Sequence, residues 1–379
     1  MTNVPFRILF LVSSMSAGGA ERVAANLVNA WASAGVHVTL LVTYSGRGDC
    51  FYPLSSAVNL RYLADETKGP KSSGLAYIAR FWALRRLVHQ ERPDVVVSFL
   101  TNVNVAAVLA TLGARVPVIV CERSYPPQLP VGEIWSLLRR WTYPLASRVA
   151  MLTTEGLVWL QREIPRSRGV VMHNPVPYPL PVHTPALLPS DVVAGDRKVL
   201  LGVGRLSEEK GFSGLFDAFA SLAEQHPLWD LVILGDGPLR SALAQQIQTT
   251  GLGSRVFMPG RAGNVGAWYE RADLYVLSSR VEGFPNTLGE AMAHGCAAVS
   301  FDCDTGPRDL IRHDVDGLLV PPGDVAALAQ SLGRLMNDDA LRAQMAARAL
   351  EVRERYSMQR VLSLWDELFT AVLQQKRPS

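Results

Sequence analysis

Two series of strand-then-helix patterns, divided by a proline-studded segment, constrain what this 379-residue chain can fold into. The first opens with Arg7-Ile-Leu-Phe-Leu-Val-Ser, a glycine turn and the helical pattern Ala20 to Ala34, which Gly35 closes. Val36 to Thr43, Asp94 to Phe99, Val116 to Cys121 and Arg148 to Thr153 read as its further strands. Strands alternating with helices of about ten to fifteen residues predict a parallel sheet covered on both faces. Prolines at 175, 177, 179, 181, 185 and 189 then forbid helix and sheet interior and predict an extended linker. A second alternation follows, with strands at Lys198 to Val203, Asp230 to Leu234, Arg255 to Met258, Asp273 to Leu277 and Ala297 to Phe301. The expected organisation is α/β throughout: a first Rossmann-like domain over residues 1–175, a linker over 176–196, a second Rossmann-like domain over 197–358, and a terminal helix over 359–379 able to pack back on the first domain. Two such halves would face each other across a ligand cleft, with the loops at strand C-terminal ends as binding surface.

Composition narrows the class. With 48% hydrophobic and 19% charged residues the chain can bury large cores without covalent staples. Cys50, Cys121, Cys296 and Cys303 form no Cys-x-x-Cys pair, which argues against a disulfide framework or zinc site and suits a reducing compartment. The apolar run Ile8 to Val12 is shorter than a signal-peptide core and reads as a strand. Val95 to Ala114 carries no charge, but Asn102, Asn104 and Gly113 interrupt it. A buried strand, a loop and a helix fit it better than a membrane span of about 20 residues. The net charge of +3 hides an asymmetry: residues 1–178 hold 18 Lys/Arg against 10 Asp/Glu, and residues 179–379 hold 19 against 24. A basic first half suits an anionic partner such as a membrane surface, a lipid phosphate or nucleic acid, or is simply a solvated surface. The acidic second half argues against nucleic acid.

Four strand-to-turn segments in the second half carry the chemistry. Gly202-Val-Gly204-Arg205 follows a strand, and Lys210-Gly211 comes five residues later. Arg205 and Lys210 are strand-end cations able to clamp a diphosphate. Leu234-Gly235-Asp-Gly-Pro238 and Met258-Pro-Gly260-Arg261 are turns whose glycines let a ligand approach the backbone. In the fourth, Glu282-Gly283-Phe284-Pro285-Asn286-Thr287-Leu288-Gly-Glu290, a loop leads into a helix stopped by Gly295. Free N–H groups at that helix start can hold a phosphate, and each carboxylate can accept a pair of sugar hydroxyls. Thr287-x-x-Glu290 is also a capping-box pattern, which would make Glu290 only a helix cap.

In order and spacing these segments resemble the donor-binding domain of the family 4 glycosyltransferases, retaining enzymes of the GT-B fold. The first half agrees through Gly18-Gly19-Ala-Glu-Arg after its first strand. The resemblance implies that Arg205 and Lys210 neutralise the diphosphate of a nucleotide sugar and assist its departure. It further implies that Glu282 contacts the transferred sugar and Glu290 the nucleotide ribose. Backbone groups of Phe284 to Leu288 would face sugar and phosphate, Gly260-Arg261 would edge the base, and Gly18 and Gly19 would admit the reaction centre. The resemblance further implies an enzyme that works without a metal or other cofactor, as the fold generally does. A UDP-sugar is the expected donor and GDP-mannose the alternative.

One departure concerns the acceptor. Many family members carry a histidine after the fourth strand of the first domain, where this chain has Cys121-Glu122-Arg123-Ser124. That resembles a subgroup acting on lipid-linked oligosaccharides in cell-surface polysaccharide and lipopolysaccharide assembly. Glu122 would orient or deprotonate the acceptor hydroxyl, or pair structurally with Arg123. The stretch Ile134 to Tyr143 interleaves Trp135 and Trp141 with Arg139 and Arg140, and Phe81 to Leu87 is similar. Both suit a helix lying on anionic lipid, or an ordinary core stripe with solvated arginines. The expected protein is therefore cytoplasmic and peripheral on the inner membrane face. Two rivals remain open. A nicotinamide oxidoreductase needs Gly-x-Gly-x-x-Gly, and Ser207 stands where the third glycine belongs. A non-catalytic sugar-nucleotide binder would show a broken clamp, yet Arg205, Lys210, Glu282 and Glu290 are all present.

Overall fold

A computed structural model describes residues 6–16, 18–45, 50–67 and 74–375. The chain forms two compact units, residues 1–174 with 361–379, and residues 175–360. The first holds strands β1 (Arg7–Val12), β2 (His37–Val42), β3 (Asn59–Tyr62), β4 (Val95–Phe99), β5 (Val118–Cys121), β6 (Arg148–Met151) and β7 (Gly169–Val171). Its helices are α1 (Gly19–Ser33), α2 (Gly74–Glu91), α3 (Thr101–Thr111), α4 (Glu133–Thr142) and α5 (Thr154–Glu163). The second unit holds β8 (Lys198–Val203), β9 (Trp229–Leu234), β10 (Val256–Gly260), β11 (Leu274–Leu277), β12 (Ala298–Phe301) and β13 (Gly317–Val320). Among them run α6 (Phe212–Leu222), α7 (Arg240–Thr249), α8 (Val265–Arg271), α9 (Asn286–Ala293), α10 (Pro307–Leu310), α11 (Val325–Asn337), α12 (Asp339–Ala349) and α13 (Val352–Arg355). The last helix, α14 (Met358–Gln374), belongs almost wholly to the first unit.

Every strand pairing is parallel. The sheet orders are β3-β2-β1-β4-β5-β6-β7 and β10-β9-β8-β11-β12-β13. Both are doubly wound orders, reversing direction between β1 and β4 and again between β8 and β11. At such a reversal the flanking loops splay apart, and ligands bind there. β4 is buried along its whole length, as a strand covered on both faces must be. No helix among the described residues is long and apolar enough to cross a membrane; Val95 to Ala114 is divided between β4 and α3.

Three strands that the periodicity does not announce, β3, β7 and β13, all lie at sheet edges. They are three or four residues long, and an edge strand needs only one partner, so its pattern is weak. Apart from a 3-10 turn at Pro189–Asp191, the proline segment carries no helix or strand, and it is not a free linker. It joins the second unit through backbone bonds from Val176 N to Tyr356 O (2.8 Å) and from His183 N to Gly263 O (2.9 Å). Leu187 is held by the Asn264 side chain at both its N–H and its carbonyl, and Trp268 Nε1 donates to that same carbonyl at 2.8 Å. Prolines leave the segment few N–H groups, and the second unit supplies acceptors for those of Val176, His183 and Leu187 and donors for the carbonyls of Pro185 and Leu187. At the other end, α14 stacks Trp365 and Phe369 on Trp31 of α1, at 5.5 and 5.6 Å between ring centroids. That seals the sheet face opposite α2 to α5.

Candidate active site

In the second unit the loops at the C-terminal strand ends are stitched to one another. Gly204 N donates to Leu234 O at 2.9 Å, Gly235 N to Gly260 O at 2.8 Å, and Leu206 N to Asp236 O at 3.1 Å. A Cβ on Gly235, whose φ is +143°, would stand 1.8 Å from the carbonyl oxygen of Gly204, and one on Gly237 would stand 2.4 Å from that of Leu206. These two glycines are therefore required by loop-on-loop contact. Their freedom from a side chain serves this contact directly, whereas the sequence pattern alone suggests only ligand approach. Gly260, at φ +109°, meets nothing within 4 Å and is where the edge of this platform stays open, with Arg261 exposed beside it.

The loop after β8 also reaches across the sheet reversal to the loop after β11. Ser278 Oγ donates to Lys210 O at 2.8 Å, Arg280 N donates to Glu209 O at 2.8 Å, and a Cβ on Gly211 would meet Ser278 O at 2.2 Å. The result places Lys210 Nζ 2.7 Å from Glu282 Oε1, both largely withdrawn from solvent. Burial acts against the Lys210 ammonium, but Glu282, aided by Glu209, outweighs it and holds the lysine pKa above its ordinary value. Cys303 itself is pushed up to about 12 by burial and by Glu282, so it is a neutral thiol. Arg205 is exposed on the same loop, and its field helps lower the Glu209 carboxyl. Of the expected clamp, Lys210 and Glu282 are thus in direct contact, and Arg205 stands outside them in solvent.

The Glu282 to Glu290 segment rests on the loop Ser300 to Pro307, whose Asp-Cys-Asp-Thr-Gly-Pro run after a strand the sequence already marks. Thr305 Oγ1 donates to the carbonyl of Glu282, and a Cβ on Gly306 would lie 2.5 Å from the Pro285 ring. The loop after β12 is thus the floor beneath Glu282, Gly283 and Phe284. Phe284 is buried with its ring 5.5 Å from that of Tyr356. Pro285 precedes α9, so Asn286 and Thr287 already lie inside the helix. This register removes the capping-box reading, since Thr287 is not the N-cap. Its hydroxyl instead accepts from Tyr275 at 2.8 Å. Leu288 is fully buried, and Glu290, in the second turn, is buried with Oε2 accepting from Tyr269 at 3.2 Å. Tyr269 and Tyr275 gave no sequence signal beyond that of core aromatics.

In the first unit Gly18 precedes α1 in an extended conformation, and Gly19 is the first helical residue. A Cβ on Gly18 would meet only the Glu21 carboxylate, a movable group that Ser14 Oγ holds at 2.9 Å. Glu122, just past β5, is buried. Thr101 Oγ1 donates to its two oxygens at 3.1 and 3.0 Å, Tyr143 donates a short hydrogen bond, and Arg139 lies 3.7 Å away. Burial raises its pKa, and Tyr143, Arg139 and Thr101 pull the other way. The ionic partner of Glu122 is therefore Arg139 and not Arg123. Arg123 stacks on Phe99 at 4.1 Å and donates to Asn174, and burial lowers its pKa to about 10. This also corrects the expectation for Arg139, which cannot meet lipid because it is buried between Glu122 and Trp159. Trp135 is half-buried, whereas Arg140 and Trp141 are exposed.

Comparison with known proteins decides the family. Residues 187–352 match the family model described as glycosyl transferases group 1, and residues 18–175 match that of the glycosyl transferase 4-like domain. Only the chain ends and residues 176–186 lie outside the two. The chain belongs to the family 4 glycosyltransferases. This glycosyltransferase is 29% identical to a Campylobacter jejuni alpha-1,4-N-acetyl-D-galactosaminyltransferase, over 97% of the chain and 99% of that protein. The relative is named for the acceptor GalNAc-alpha-(1->4)-GalNAc-alpha-(1->3)-diNAcBac-PP-undecaprenol. It is 26% identical to the amylovoran biosynthesis glycosyltransferase AmsD of Erwinia amylovora, over 96% and 99% of the two chains. Its fold matches that of Anabaena HepE, solved in complex with UDP, with a TM-score of 0.78 at 19% identity over 97% of this chain and all of that one. The glycosyltransferase thus has the GT-B type of construction, two Rossmann-like α/β domains, and is an enzyme.

Proposed function

We propose that this glycosyltransferase moves a hexose or N-acetylhexosamine from a UDP-sugar to a saccharide carried on a polyprenyl diphosphate or similar anionic lipid at a membrane surface, in cell-surface polysaccharide assembly, with retention of anomeric configuration. The observation that carries the reading is the Lys210–Glu282 contact at the sheet reversal, beside the N-terminus of α9. A diphosphate brought there would meet the Lys210 ammonium, the Arg205 guanidinium and the helix N–H groups, which together oppose its charge as it leaves. Glu282 would accept sugar hydroxyls while fixing the lysine, and Glu290, braced by Tyr269, would accept the ribose hydroxyls. These charges serve in place of a divalent cation, so the enzyme works without a resident metal. The UDP complex of the HepE fold and the PP-undecaprenol acceptor of the Campylobacter relative support the donor and acceptor classes.

A panel of nucleotide sugars, read by thermal stabilisation and by donor hydrolysis in the presence of excess EDTA, tests the reading. Stabilisation and EDTA-resistant hydrolysis with one or more UDP-sugars are expected. Response to a GDP-sugar alone would replace the donor, and abolition of hydrolysis by EDTA would refute the metal-free clamp. The anomeric configuration of the product, read by NMR, decides retention.

A further inference from the structure

Among the described residues Arg123 is a cation with no carboxylate partner. It stands just past β5, and its guanidinium lies 4.1 Å from the centre of the Phe99 ring, at the end of β4. Its Nη2 donates to Asn174, while its Nε is shut off from solvent with no hydrogen-bond partner. Three carboxylates lie in the segments that follow β1, β5 and β6, and each is engaged elsewhere. Glu122 is taken by Arg139, Tyr143 and Thr101, Glu21 accepts from Ser14, and Glu155 acts on His173.

An uncompensated charge in such a place costs free energy, and an apolar side chain of similar volume often serves a protein interior better. The low Arg123 pKa, about 10, has burial as its main cause and is the mark of that cost. Leu100, next to Phe99, adds a second departure: its φ is +77°, a region that favours glycine. The unpaired cation and the strained turn thus meet where β4 leaves the sheet. That is the side of the reversal between β1 and β4, and doubly wound sheets bind ligands there.

We infer that Arg123 is an anion subsite of the first unit, and that the acceptor saccharide carries a carboxylate to it, as a hexuronic acid does. The inference rests on the proposed saccharide acceptor and names its chemical class. Phe99 fixes the plane of the guanidinium and Asn174 fixes one of its nitrogens. The half-buried side chain therefore offers an oriented fork, which matches the edge of a carboxylate. One guanidinium balances one negative charge. A diphosphate carries more and calls for several cations, as Arg205 and Lys210 supply in the second unit. Here Arg139 is committed to Glu122, and His173, beside Asn174, is kept neutral at pH 7 by burial. A neutral sugar would leave the Arg123 charge unmet.

The test is binding of the methyl glycosides of glucuronic, galacturonic and mannuronic acid to the full-length protein, with and without excess UDP, followed by ligand-observed NMR. The same glycosides with the carboxyl converted to a neutral carboxamide are the comparison. Wild type is expected to hold at least one uronate about ten- to a hundredfold more tightly than its carboxamide, the range for a hydrogen bond to a charged group. Arg123→Gln should erase that preference while the melting temperature holds or rises, because an unpaired charge is removed. An arginine with only a structural role predicts the reverse, a lower melting temperature with the preference intact. Should Arg123→Gln fold poorly, Arg123→Lys keeps the charge and loses the fork, and its preference should fall between wild type and none. Wild type that binds acid and carboxamide alike, binds none of the glycosides, or prefers inorganic phosphate or pyrophosphate to every uronate overturns the proposal. So does a folded variant that keeps the wild-type preference. A uronate preference lost in Arg123→Gln, in a protein that no nucleotide sugar stabilises and that transfers to no saccharide, would retain the subsite and refute the proposed function instead.

Discussion

Lys210→Ala separates the chemistry of the clamp from its architecture. The substitution leaves Glu282, a carboxylate whose side chain is 10% exposed, without the ammonium 2.7 Å away. Breaking a fully buried pair from one side costs about 3–5 kcal/mol, whereas an exposed pair is worth about 0.2–1 kcal/mol. With the lysine side chain 23% exposed, the pair lies between these limits, and about 2 kcal/mol is expected. In a unit of this size that lowers the melting temperature by about 4–8 °C. Transfer should fall further, by about a hundred- to a thousandfold, the loss typical of removing one group that stabilises developing negative charge. The decisive variant is the double one, Lys210→Ala with Glu282→Gln. Neutralising the orphaned carboxylate should restore stability to within about 1 kcal/mol of wild type, yet transfer should stay at least about a hundredfold down. The assay is nucleotide release coupled to product formation, alongside thermal unfolding of each variant. Lys210→Ala retaining transfer within about tenfold of wild type, or a double variant that regains transfer, would refute the clamp. Because Glu282 raises the Lys210 pKa above the ordinary 10.5, the pair's contribution is complete below that value and is lost only as pH rises through the higher folded value. The alkaline limb of the wild-type rate profile below about pH 10 should therefore not arise from this lysine.

Gly235→Ala forces a Cβ to 1.8 Å from the Gly204 carbonyl at φ +143° and should destabilise the second unit by at least about 3 kcal/mol; thermal unfolding checks it, and a near-wild-type melting temperature would refute the loop-on-loop account. Glu290→Gln should weaken donor binding about tenfold or more while the protein stays folded, as calorimetry with the nucleotide would show; a lower melting temperature with donor affinity unchanged would return the residue to a purely structural role. Tyr143→Phe removes a donor to Glu122 and should cost about 1–3 kcal/mol at neutral pH. Tyr143 favours the ionised carboxyl, so this loss should be fully present above the Glu122 pKa and shrink as pH falls through it, measured by denaturant unfolding at several pH values.

Much of the candidate site in the second unit could be read along the chain because its residues sit just beyond strand ends, where periodicity changes abruptly. Lys198 to Val203 announces β8, and the position of Lys210 in the loop after it follows from that. The three edge strands and the boundary of the proline segment could not be read this way. Short edge strands leave little alternation, and whether Val176 or Leu187 is solvated or bonded depends on Tyr356 and Asn264, 180 and 77 residues further along the chain. Glu290 shows the same limit at one side chain. Its spacing from Thr287 suits a cap, and only the helix register, set by where Pro285 and the loop after β12 place the chain, takes Thr287 out of the capping position.

The sequence by itself determined the parallel α/β architecture of both units, the strand-end position of Arg205 and Lys210, and the family. Each of these depends on periodicity or spacing within a short stretch of chain. Tertiary structure decided which charges meet. Lys210 reaches Glu282 because the reversal between β8 and β11 makes neighbours of loops some 70 residues apart. Glu122 takes Arg139 and not the adjacent Arg123, because residues next to each other at a strand end point different ways while a helix packed alongside can offer its guanidinium. That second choice also rotated α4 and turned Ile134, Leu137 and Trp141 outward. The orientation of a helix about its own axis is fixed by what its inner side binds, and no local pattern contains that information.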